Sequence, residues 1–412
     1  MGVGVIVDGY STGRHLGPRF RERGWDCVHV QSRHELTWFQ RATYAPEDYV
    51  ANLRYDGDLG RTVAELARYR PCFVIPGSES GVLLADQLAD ALDVPGNGLV
   101  KSEARRNKYL MLEALRECGV PTVDQVSSNQ FAALHEWARR RTDWPLVAKP
   151  VASSGTDHVT FCHSIEELRA AYEAIMSSPN FLNEHNDEVL VQEAMTGDEY
   201  MVNTVSWDGC HWVTDLWRSP KLIIDDAPVY DRQTLVPCDG HEEIVEYSFR
   251  TLDALDIRYG ATHVELVDTL RGPRLLEIGA RLEGSANPAA VAACLGHDQV
   301  SVTVDTYIAP DSLRERARRT YQLERHCVSV VLISHQRGVL RDLSAVDTIR
   351  GLESFFSISF NLQPGQVMPI TRDLLTTPGV VYLVHEDTTV VNRDSRTIRE
   401  LERNGLYAID EG

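Results

Sequence analysis

Two glutamates and an arginine stand in one short segment, residues 262–281, with the sequence THVELVDTLRGPRLLEIGAR. An antiparallel hairpin centred on Arg271 would place Glu265 opposite Glu277, with Cβ atoms about 4.5 to 5.5 Å apart. Two carboxylates at that separation repel each other unless a cation lies between them. Because Mg²⁺ prefers one or two carboxylates together with substrate phosphates, the spacing predicts a magnesium–phosphate site on this hairpin.

The same register places His263 opposite Gly279, and Arg281 has the same parity as Glu277. In an extended strand, Arg281 therefore points to the face that carries the carboxylates, where a guanidinium favours a developing oxyanion. The segment is interpreted as the wall of a metal–phosphate site. A surface hairpin with exposed charges is the alternative, and the hairpin alone does not separate the two interpretations.

A second group of residues that could take part in chemistry lies at the end of an apolar strand and just after it, in the sequence LVAKPVASSGTDHVTF. Lys149 ends that strand, and a loop of small residues, 152–156, comes next. Small residues allow backbone N–H groups to approach phosphates, and the lysine adds a positive charge. The Walker pattern GxxxxGK[ST] is absent. The loop therefore indicates a phosphate site of another kind, with an ordinary hairpin turn as the alternative.

A third group lies in residues 189–206, where an apolar strand ends in Gln192 and Glu193 and Glu199 follows six residues later. Such a connection can offer backbone groups to an adenine, and an acid can accept ribose hydroxyls. A capped turn explains the same residues. Lys108, at the start of a helix, is uninformative by itself, because a solvated lysine is common in that position.

The elements that position these groups are read from hydrophobic periodicity. Residues 1–105 alternate buried strands with helices, which predicts a doubly wound α/β domain. No GxGxxG fingerprint follows the first strand, and this argues against a dinucleotide-binding dehydrogenase. The pair Asp208-Gly209 predicts a tight turn between two strands. The last hundred residues contain two predicted strands, VSVVLISH and GVVYLVHED, and a closing helix, SRTIRELERNG.

The bulk composition limits the class of protein. The chain has 412 residues, 43% of them apolar, and a net charge of −19. This charge predicts neither a nucleic acid nor an anionic membrane as a partner, since phosphates would be repelled. Eight scattered cysteines without a CxxC pair predict no zinc site and reduced thiols, which favours the cytoplasm. No run approaches the roughly 18 apolar residues of a membrane helix.

The order and spacing of the three groups resemble the ATP-grasp family of carboxylate–amine ligases. The shared pattern is Lys108, then a KP–small loop–G, then QE…GDE, then hxE…GPxLLEIxxR, and it covers residues 1 to about 310. Within the family, EIGARLEG and DGYSTGRHL are most similar to the bacterial L-amino acid ligases that make dipeptides and to their natural-product relatives. The last hundred residues resemble that group only weakly.

The resemblance implies a role for each matched residue. Lys108 and Lys149 match the lysines that hold the α- and β-phosphates of ATP, and Arg281 matches the arginine that steadies the tetrahedral intermediate. Glu265 and Glu277 match the acids that bridge two Mg²⁺ ions, with Mn²⁺ as an alternative metal. The nucleotide contacts implied in the same way are the loop residues Ser153, Ser154 and Gly155, the adenine hinge Gln192, Glu193, Ala194 and Met195, and the ribose contact Glu199.

The sequence departs from the family at Gly279, where many members have asparagine two residues after the second metal glutamate. We hypothesise that His263, opposite Gly279, fills this space as a donor to a metal ligand or as a substrate contact; a histidine packed beside a glycine is the alternative. Substrate contacts are predicted at Arg218 and Lys221, which follow a hairpin, and in the small segment after Arg281, at Gly284 and Ser285. A solvated basic turn is the alternative for Arg218 and Lys221, and the residues themselves favour it.

The resemblance implies an ATP-grasp fold of class α/β. Four parts are expected: an N-terminal Rossmann-like pre-ATP-grasp domain (residues 1–105), a small lid subdomain (106–190), a central catalytic subdomain (191–311) and a C-terminal α+β subdomain (312–412). The implied activity is formation of an acyl phosphate from a carboxylate and its capture by an amine, and the most similar group implies that the carboxylate belongs to an amino acid.

Alternatives to this activity are a bicarbonate-dependent carboxylation, a purine-type ligation or a non-catalytic ATP-binding protein. The expected partners are small-molecule carboxylates and amines, and a homodimer is expected by analogy with the family. The sequence does not name the two substrates.

Overall fold

The computed structural model describes residues 2–153, 157–180, 183–224, 227–372 and 376–410. The N-terminal part is a four-stranded parallel sheet whose strands alternate with helices. These elements are β1 (Val3–Val7), α1 (Leu16–Glu22), β2 (Asp26–Gln31), α2 (Trp38–Thr43), β3 (Ala51–Arg54), α3 (Leu59–Leu66), β4 (Val74–Pro76) and α4 (Val82–Ala91). The predicted α/β character of this part is confirmed.

The strand order of this sheet is β3-β2-β1-β4, so the direction of winding changes between β1 and β4. Ligands of open α/β sheets bind outside the carboxyl ends of the strands at such a point. Asp8, directly after β1, organises the loops there: its buried carboxylate accepts hydrogen bonds from the backbone N–H of Ser32 (2.8 Å) and from the hydroxyl of Ser80. The loop after β4, which carries Glu79, is therefore held at this edge.

The next part is a four-stranded antiparallel sheet of order β5-β8-β6-β7 that packs against helices. Its apolar faces enclose a separate small core. The predicted boundary between residues 190 and 191 falls inside its strand β8. The elements from this part are α5 (Lys108–Glu117), β5 (Gln125–Ser128), α6 (Phe131–Ala138), β6 (Leu146–Pro150), β7 (Thr160–Cys162), α7 (Ile165–Ser177) and β8 (Val189–Glu193).

The central part carries the two hairpins predicted from the sequence. Its elements are β9 (Gly197–Trp207), β10 (Cys210–Arg218), β11 (Lys221–Ile224), β12 (Ala227–Tyr230), β13 (Arg232–Val236), α8 (Glu242–Ala254), β14 (Gly260–Thr269) and β15 (Gly272–Gly279). Asp208 and Gly209 form the turn between β9 and β10 with φ of 50° and 77°, as expected for a type I′ turn.

The remaining chain adds strands to the same sheet. Its elements are α9 (Pro288–Leu295), α10 (Gln299–Ile308), α11 (Asp311–Arg316), β16 (His326–Val331), β17 (Gly338–Asp342), α12 (Val346–Arg350), β18 (Phe355–Phe360), β19 (Val367–Met368), β20 (Gly379–His385), α13 (Thr388–Arg403) and β21 (Ala408–Asp410). The predicted strands correspond to β16 and β20. The predicted closing helix is α13, which begins seven residues before the predicted segment at 395.

The central sheet has eight antiparallel strands in the order β15-β14-β9-β10-β13-β16-β20-β18. The largest apolar core extends from the N-terminal sheet across this sheet to β20. The C-terminal chain is thus continuous with the sheet that carries the predicted metal hairpin. Within the described ranges, the structure contains no helix long and apolar enough to cross a membrane.

Candidate active site

The hairpin of β14 and β15 has the predicted register where the chemistry requires it. Glu265 pairs with Glu277 and His263 with Gly279. A bulge between Glu265 and Leu266 then shifts the register, so the turn lies at residues 270–271 and is not centred on residue 271 alone. The prediction was wrong for the residues near the turn, because an extra residue in one strand moves every later pair by one.

Most of the predicted nucleotide residues converge on one cavity of about 140 Å³ between the β5–β8 sheet and the central sheet. Its lining includes the predicted residues Lys108, Lys149, Ser153, Gln192, Glu193, Met195, Glu199, Lys221, Glu265 and Glu277. Its apolar lining includes Val147, Val159, Phe161, Val267 and Leu276. A concave cleft with apolar walls and convergent polar groups is the usual form of a small-molecule site, and this cavity is unusually rich in charged groups.

The two lysines lie close to the two glutamates. Lys108, in the first turn of α5, places its Nζ 2.8 Å from Oε2 of Glu277 and donates to the carbonyl of Ser153. Burial, together with the positive charge of Lys108, lowers the pKa of Lys149 to about 8. Such a depressed lysine is stabilised as an ammonium when an anion binds beside it, which suits a phosphate ligand.

Glu199 and Lys221 form a buried ion pair inside the same cavity, with Nζ 2.8 Å from Oε1. The ammonium also lies 4.7 Å from the centre of the Tyr230 ring. Burial raises the pKa of Glu199, and the nearby Glu265 adds to this effect. Lys221, predicted as a substrate contact, is therefore placed with the nucleotide residues.

The side chains at the end of β8 have different partners within the protein. The buried side chain of Gln192 donates to Oε1 of Gln125 at 3.0 Å, and the carboxylate of Glu193 pairs with Arg271 at the tip of the hairpin. Both side chains therefore have protein partners, and an adenine would meet backbone groups here. Ala194 connects the cavity-lining residues Glu193 and Met195 and does not itself line the cavity.

Arg218 lies away from the cavity, and two residues of the predicted phosphate loop are not described. Arg218 is half-exposed and pairs with Asp198 at 2.9 Å, so the structure does not bring it to the site. Ser154 and Gly155 lie outside the described residues. Of the three predicted phosphate contacts in this loop, Ser153 is the one described, and its hydroxyl donates to Asp157 at 2.6 Å.

Arg281 lies just beyond β15 and forms an ion pair that the sequence did not indicate. Its Nε donates to Oε2 of Glu79 at 2.8 Å, and the other oxygen of Glu79 pairs with Arg106. Burial alone would raise the pKa of Glu79, but the charges of Arg106 and Arg281 outweigh it and lower the pKa to about 2. Glu79 was missed because a glutamate in a serine-rich loop after a short strand carries no pattern of its own.

The glycine at position 279 has a structural explanation. A Cβ built on Gly279 would lie 2.9 Å from Cζ of Arg281 and 2.9 Å from Oε2 of Glu79. The guanidinium thus covers the face on which a side chain at this position would project, which is the face of Glu277. An asparagine here would have to displace the Arg281–Glu79 ion pair.

His263 is buried beside the carboxylates and connects one of them to the core. Its Nε2 lies 3.1 Å from Oε1 of Glu265, and its Nδ1 lies 2.8 Å from Oδ1 of Asn203. The amide nitrogen of Asn203 contacts two carboxylates, Asp215 (2.6 Å) and Glu283 (2.8 Å). Since only a donor satisfies those carboxylates, the amide oxygen faces His263, and Nδ1 of His263 must donate.

The electrostatics follow from this network. Burial alone would lower the pKa of His263, but the hydrogen bond and charge of Glu265 raise it. Burial alone would raise the pKa of Glu265, but His263, followed by Lys221 and Arg281, lowers it. Glu265 is therefore held as a carboxylate. With Nδ1 donating to Asn203, His263 also donates to Glu265 when the ring is doubly protonated, the form that the raised pKa favours. The geometry thus supports the hypothesis that His263 donates to a predicted metal ligand, rather than packing passively beside a glycine.

The donor set fits a nucleotide-bound magnesium. In the described part of the chain, no group of three or more His, Cys, Asp or Glu side chains could hold a metal ion. Glu265 and Glu277 alone supply two carboxylates on adjacent strands, which is the protein share that Mg²⁺ uses when phosphates complete its coordination. These residues therefore fit a metal bound together with ATP better than a metal bound alone.

The segment after Arg281 borders the N-terminal sheet. The hydroxyl of Ser11, in the loop after β1, donates to the carbonyl of Gly284. The hydroxyl of Ser285 donates to Glu283 at 3.2 Å. Gly284 and Ser285 do not line the nucleotide cavity, so they lie on the Arg281 side of the site, facing the edge of the parallel sheet.

Comparisons with known proteins agree with this geometry. A family model described as ATP-grasp domain matches residues 142–288. Dapdiamide A synthase from Enterobacter agglomerans is 33% identical over 425 residues, covering 99% of this chain and 98% of that protein. An L-amino acid ligase from Bacillus licheniformis superposes with a TM-score of 0.76 at 17% identity, covering 97% of each chain.

A third similar protein, a carboxyaminoimidazole ribonucleotide synthase from Aspergillus clavatus complexed with ATP, superposes with a TM-score of 0.71 at 14% identity, covering 98% of this chain and 99% of that chain. At such low identities, the two solved structures establish the fold alone. The predicted ATP-grasp fold is confirmed.

Proposed function

The chain belongs to the ATP-grasp family, and we propose that it is an ATP-dependent carboxylate–amine ligase. It activates the carboxylate of an amino acid as an acyl phosphate and joins it to the amine of a second amino acid. The products are an amide or dipeptide, ADP and phosphate. The full-length similarity to a dapdiamide synthase supports this class of product and a place in natural-product biosynthesis.

One observation carries the proposal: two lysines and two carboxylates, brought from four separate strands and helices, line a single cavity. Lys108 comes from α5, Lys149 from β6, Glu265 from β14 and Glu277 from β15. Phosphoryl transfer depends mostly on positioning and on neutralising charge. This cavity offers ammonium groups and carboxylates at one place, which supports ATP with Mg²⁺ as its ligand.

Different residues would bind the adenine, the ribose, the phosphates and the metal ions. The backbone near Glu193, Ala194 and Met195 receives the adenine, and Glu199, oriented by Lys221, accepts the ribose hydroxyls. Lys108 and Lys149 hold the phosphates. Glu265 and Glu277 would hold two Mg²⁺ ions, or Mn²⁺ in their place, against phosphate oxygens, where the ions supply charge neutralisation.

Arg281 acts on the second half of the reaction. A neutral amine attacks the acyl phosphate, and the carbonyl oxygen becomes an oxyanion. A guanidinium aimed at that oxygen stabilises it without reorganisation. The ion pair with Glu79 fixes the side chain of Arg281 beside Glu277, and this supports the role proposed for Arg281.

The test is incubation of the protein with ATP, Mg²⁺ and pairs from an amino-acid panel. Phosphate release is measured alongside mass spectra of the products. We expect release that requires two amino acids and a product whose mass is their sum less water. The variant Glu277→Gln should abolish release, whereas Glu22→Gln, in an exposed pair with Arg19, should not alter it.

Other outcomes would replace the proposal. Phosphate release that depends on bicarbonate and on no amino acid would identify a carboxylation. ATP binding without turnover of any substrate would identify a non-catalytic nucleotide-binding protein. Release with one acid alone would show an acyl phosphate that leaks to water, with an amine outside the panel as the natural partner.

We propose in addition that the chain acts in the cytoplasm as a homodimer. The few, scattered cysteines without a CxxC pair support the compartment, and resemblance to the family supports the dimer. Light scattering coupled to size-exclusion chromatography tests the oligomeric state, since a mass near 46.2 kDa would show a monomer.

A further inference from the structure

The loop of residues 283–287, here called the substrate loop, is held by partners from three parts of the chain. It begins two residues after Arg281. The backbone N–H of Glu283 donates to Gln299 at 3.1 Å, and the carbonyl of Gly284 accepts from Ser11. The far end of the loop, Asn287, caps α9. None of these contacts involves the chain beyond residue 312. Two residues beyond that point, Tyr382 and Ser357, also contact the loop.

Tyr382, in the middle of β20, forms hydrogen bonds to the substrate loop through its hydroxyl. The hydroxyl donates to the carbonyl of Ser285 at 3.0 Å and accepts from the backbone N–H of Asn287 at 3.1 Å. The tyrosine is only 7% exposed, so water cannot readily replace these bonds. One side chain from the C-terminal chain thus satisfies both sides of the loop backbone around residue 286.

A second contact comes from the neighbouring strand. Ser357 in β18 is the direct register partner of Tyr382 in β20. Its Oγ accepts from Nδ2 of Asn287 at 2.8 Å. The two strands at the end of the central sheet therefore present a matched pair of hydroxyl groups to the same loop.

The substrate loop is also linked to the carboxylate face. Glu283 accepts from Ser285 through one carboxylate oxygen and from Asn203 through the other. Asn203 contacts His263, which in turn contacts Glu265. An unbroken series of hydrogen bonds therefore runs from Tyr382, by way of the loop, to the proposed metal ligand.

We infer that Tyr382 is a positioning residue for the amino-acid substrate and that the C-terminal chain contributes to substrate recognition through it. This rests on the proposed ligase function. The loop follows Arg281 and contacts the loop after β1 at the edge of the parallel sheet, and in this inference the second substrate approaches there. By fixing the loop at Ser285 and Asn287, the hydroxyl of Tyr382 sets the shape of the wall that the amino-acid side chain meets.

The test is the steady-state kinetics of Tyr382→Phe with the amino-acid pair that the wild-type protein joins. The ring stays and only the hydroxyl is lost. The substitution leaves two buried backbone groups of the loop, the carbonyl of Ser285 and the N–H of Asn287, without their hydrogen-bond partner. Because the loss of such a partner destabilises the loop, we expect the KM of one amino acid to rise about tenfold, which corresponds to about 1.4 kcal/mol. The KM of ATP should stay within about twofold, because the loop residues that Tyr382 contacts, Ser285 and Asn287, do not line the nucleotide cavity.

Two further variants keep the test independent of folding. Ser357→Ala removes the acceptor of Asn287 from the other strand and should raise the KM of the same amino acid. Tyr407→Phe is the matched control: Tyr407 is also 7% exposed and lies in the C-terminal core, with its hydroxyl 3.5 Å from Glu402. It should leave every KM unchanged.

The outcomes separate this inference from the proposed function. Amino-acid KM values that are unchanged in both Tyr382→Phe and Ser357→Ala would overturn the inference and leave the ligase intact. Equal changes in the KM values of ATP and amino acids, shared by Tyr407→Phe, would also overturn it, since they would indicate a general structural role. A wild-type protein that joins no amino acids would refute the proposed function and the inference with it.

Discussion

The ion pairs of Glu79 allow a quantitative prediction for the variant Glu79→Gln. Its carboxylate lies between the guanidinium groups of Arg106 and Arg281, whose side chains are 8% and 11% exposed. The substitution preserves size but removes the charge, so two largely buried cations lose their shared counterion. Breaking a buried pair in this way typically costs about 3 to 5 kcal/mol.

The pKa of Glu79 leads to a similar magnitude. A decrease from the usual 4.5 to about 2 corresponds to about 3 kcal/mol of differential interaction at pH 7. Because the folded-state pKa is lowered, this contribution is complete above about pH 4.5 and is lost as the pH falls towards 2. The difference in unfolding free energy between Glu79→Gln and wild type should therefore be constant near neutrality and shrink in acid.

Urea denaturation at pH 7 and at pH 4 measures the stability change. The matched control is Glu22→Gln, which removes an exposed pair with Arg19 and should cost about 0 to 1 kcal/mol. In ligation assays, Glu79→Gln should lower kcat about ten- to a hundredfold, because an oxyanion donor that loses its anchor is mispositioned. The KM of ATP should change little.

Two results would refute the reasoning. A stability loss for Glu79→Gln no larger than that of Glu22→Gln would show that the buried pairs contribute no more than surface pairs. A normal kcat together with a large stability loss would show that Arg281 does not depend on Glu79 for its position.

The remaining predictions concern the carboxylate face and the lysines. Gly279→Asn must displace the guanidinium of Arg281, so we expect at least a tenfold lower kcat in ligation assays, with Gly240→Asn as a control at an open turn. ATP binding, measured by calorimetry between pH 7 and 9.5, should weaken above pH 8, by up to about tenfold per pH unit, because Lys149 loses the proton that phosphate requires; an unchanged affinity contradicts this. His263→Ala should raise the Mg²⁺ concentration for half-maximal turnover, since Glu265 loses its donor; an unchanged metal dependence would remove this role for His263.

Local patterns were enough to predict the parts of the site that lie on one hairpin. The pairing of Glu265 with Glu277 across the hairpin follows from the two-residue period of a strand and the position of a turn, both of which are local properties. The bulge after Glu265 has no such signature, and the register near the turn was therefore wrong. Resemblance to a family supplied Lys108 and Glu199, whose spacing from the hairpin has no local meaning.

Contacts between distant segments could not be predicted in this way. Glu79 and Arg281 are 202 residues apart and meet only because the edge of the parallel sheet packs against the end of β15. Asn203 gains its importance from three neighbours that come from three strands or loops. In both cases, the residue type alone is ordinary, and only burial and orientation give the residue its contacts with the proposed site.

The sequence by itself indicated the class of chemistry, because lysines, acids and an arginine in this order and spacing resemble the ATP-grasp pattern, which implies ATP and a divalent cation as ligands. Only the tertiary structure decided how these groups are held. It placed Arg281 over Gly279, Lys221 beside Glu199, and Tyr382 against the loop after Arg281. The physical reason is that strand period and turn type act over a few residues, whereas charge pairing and burial depend on segments that only the packed core brings together.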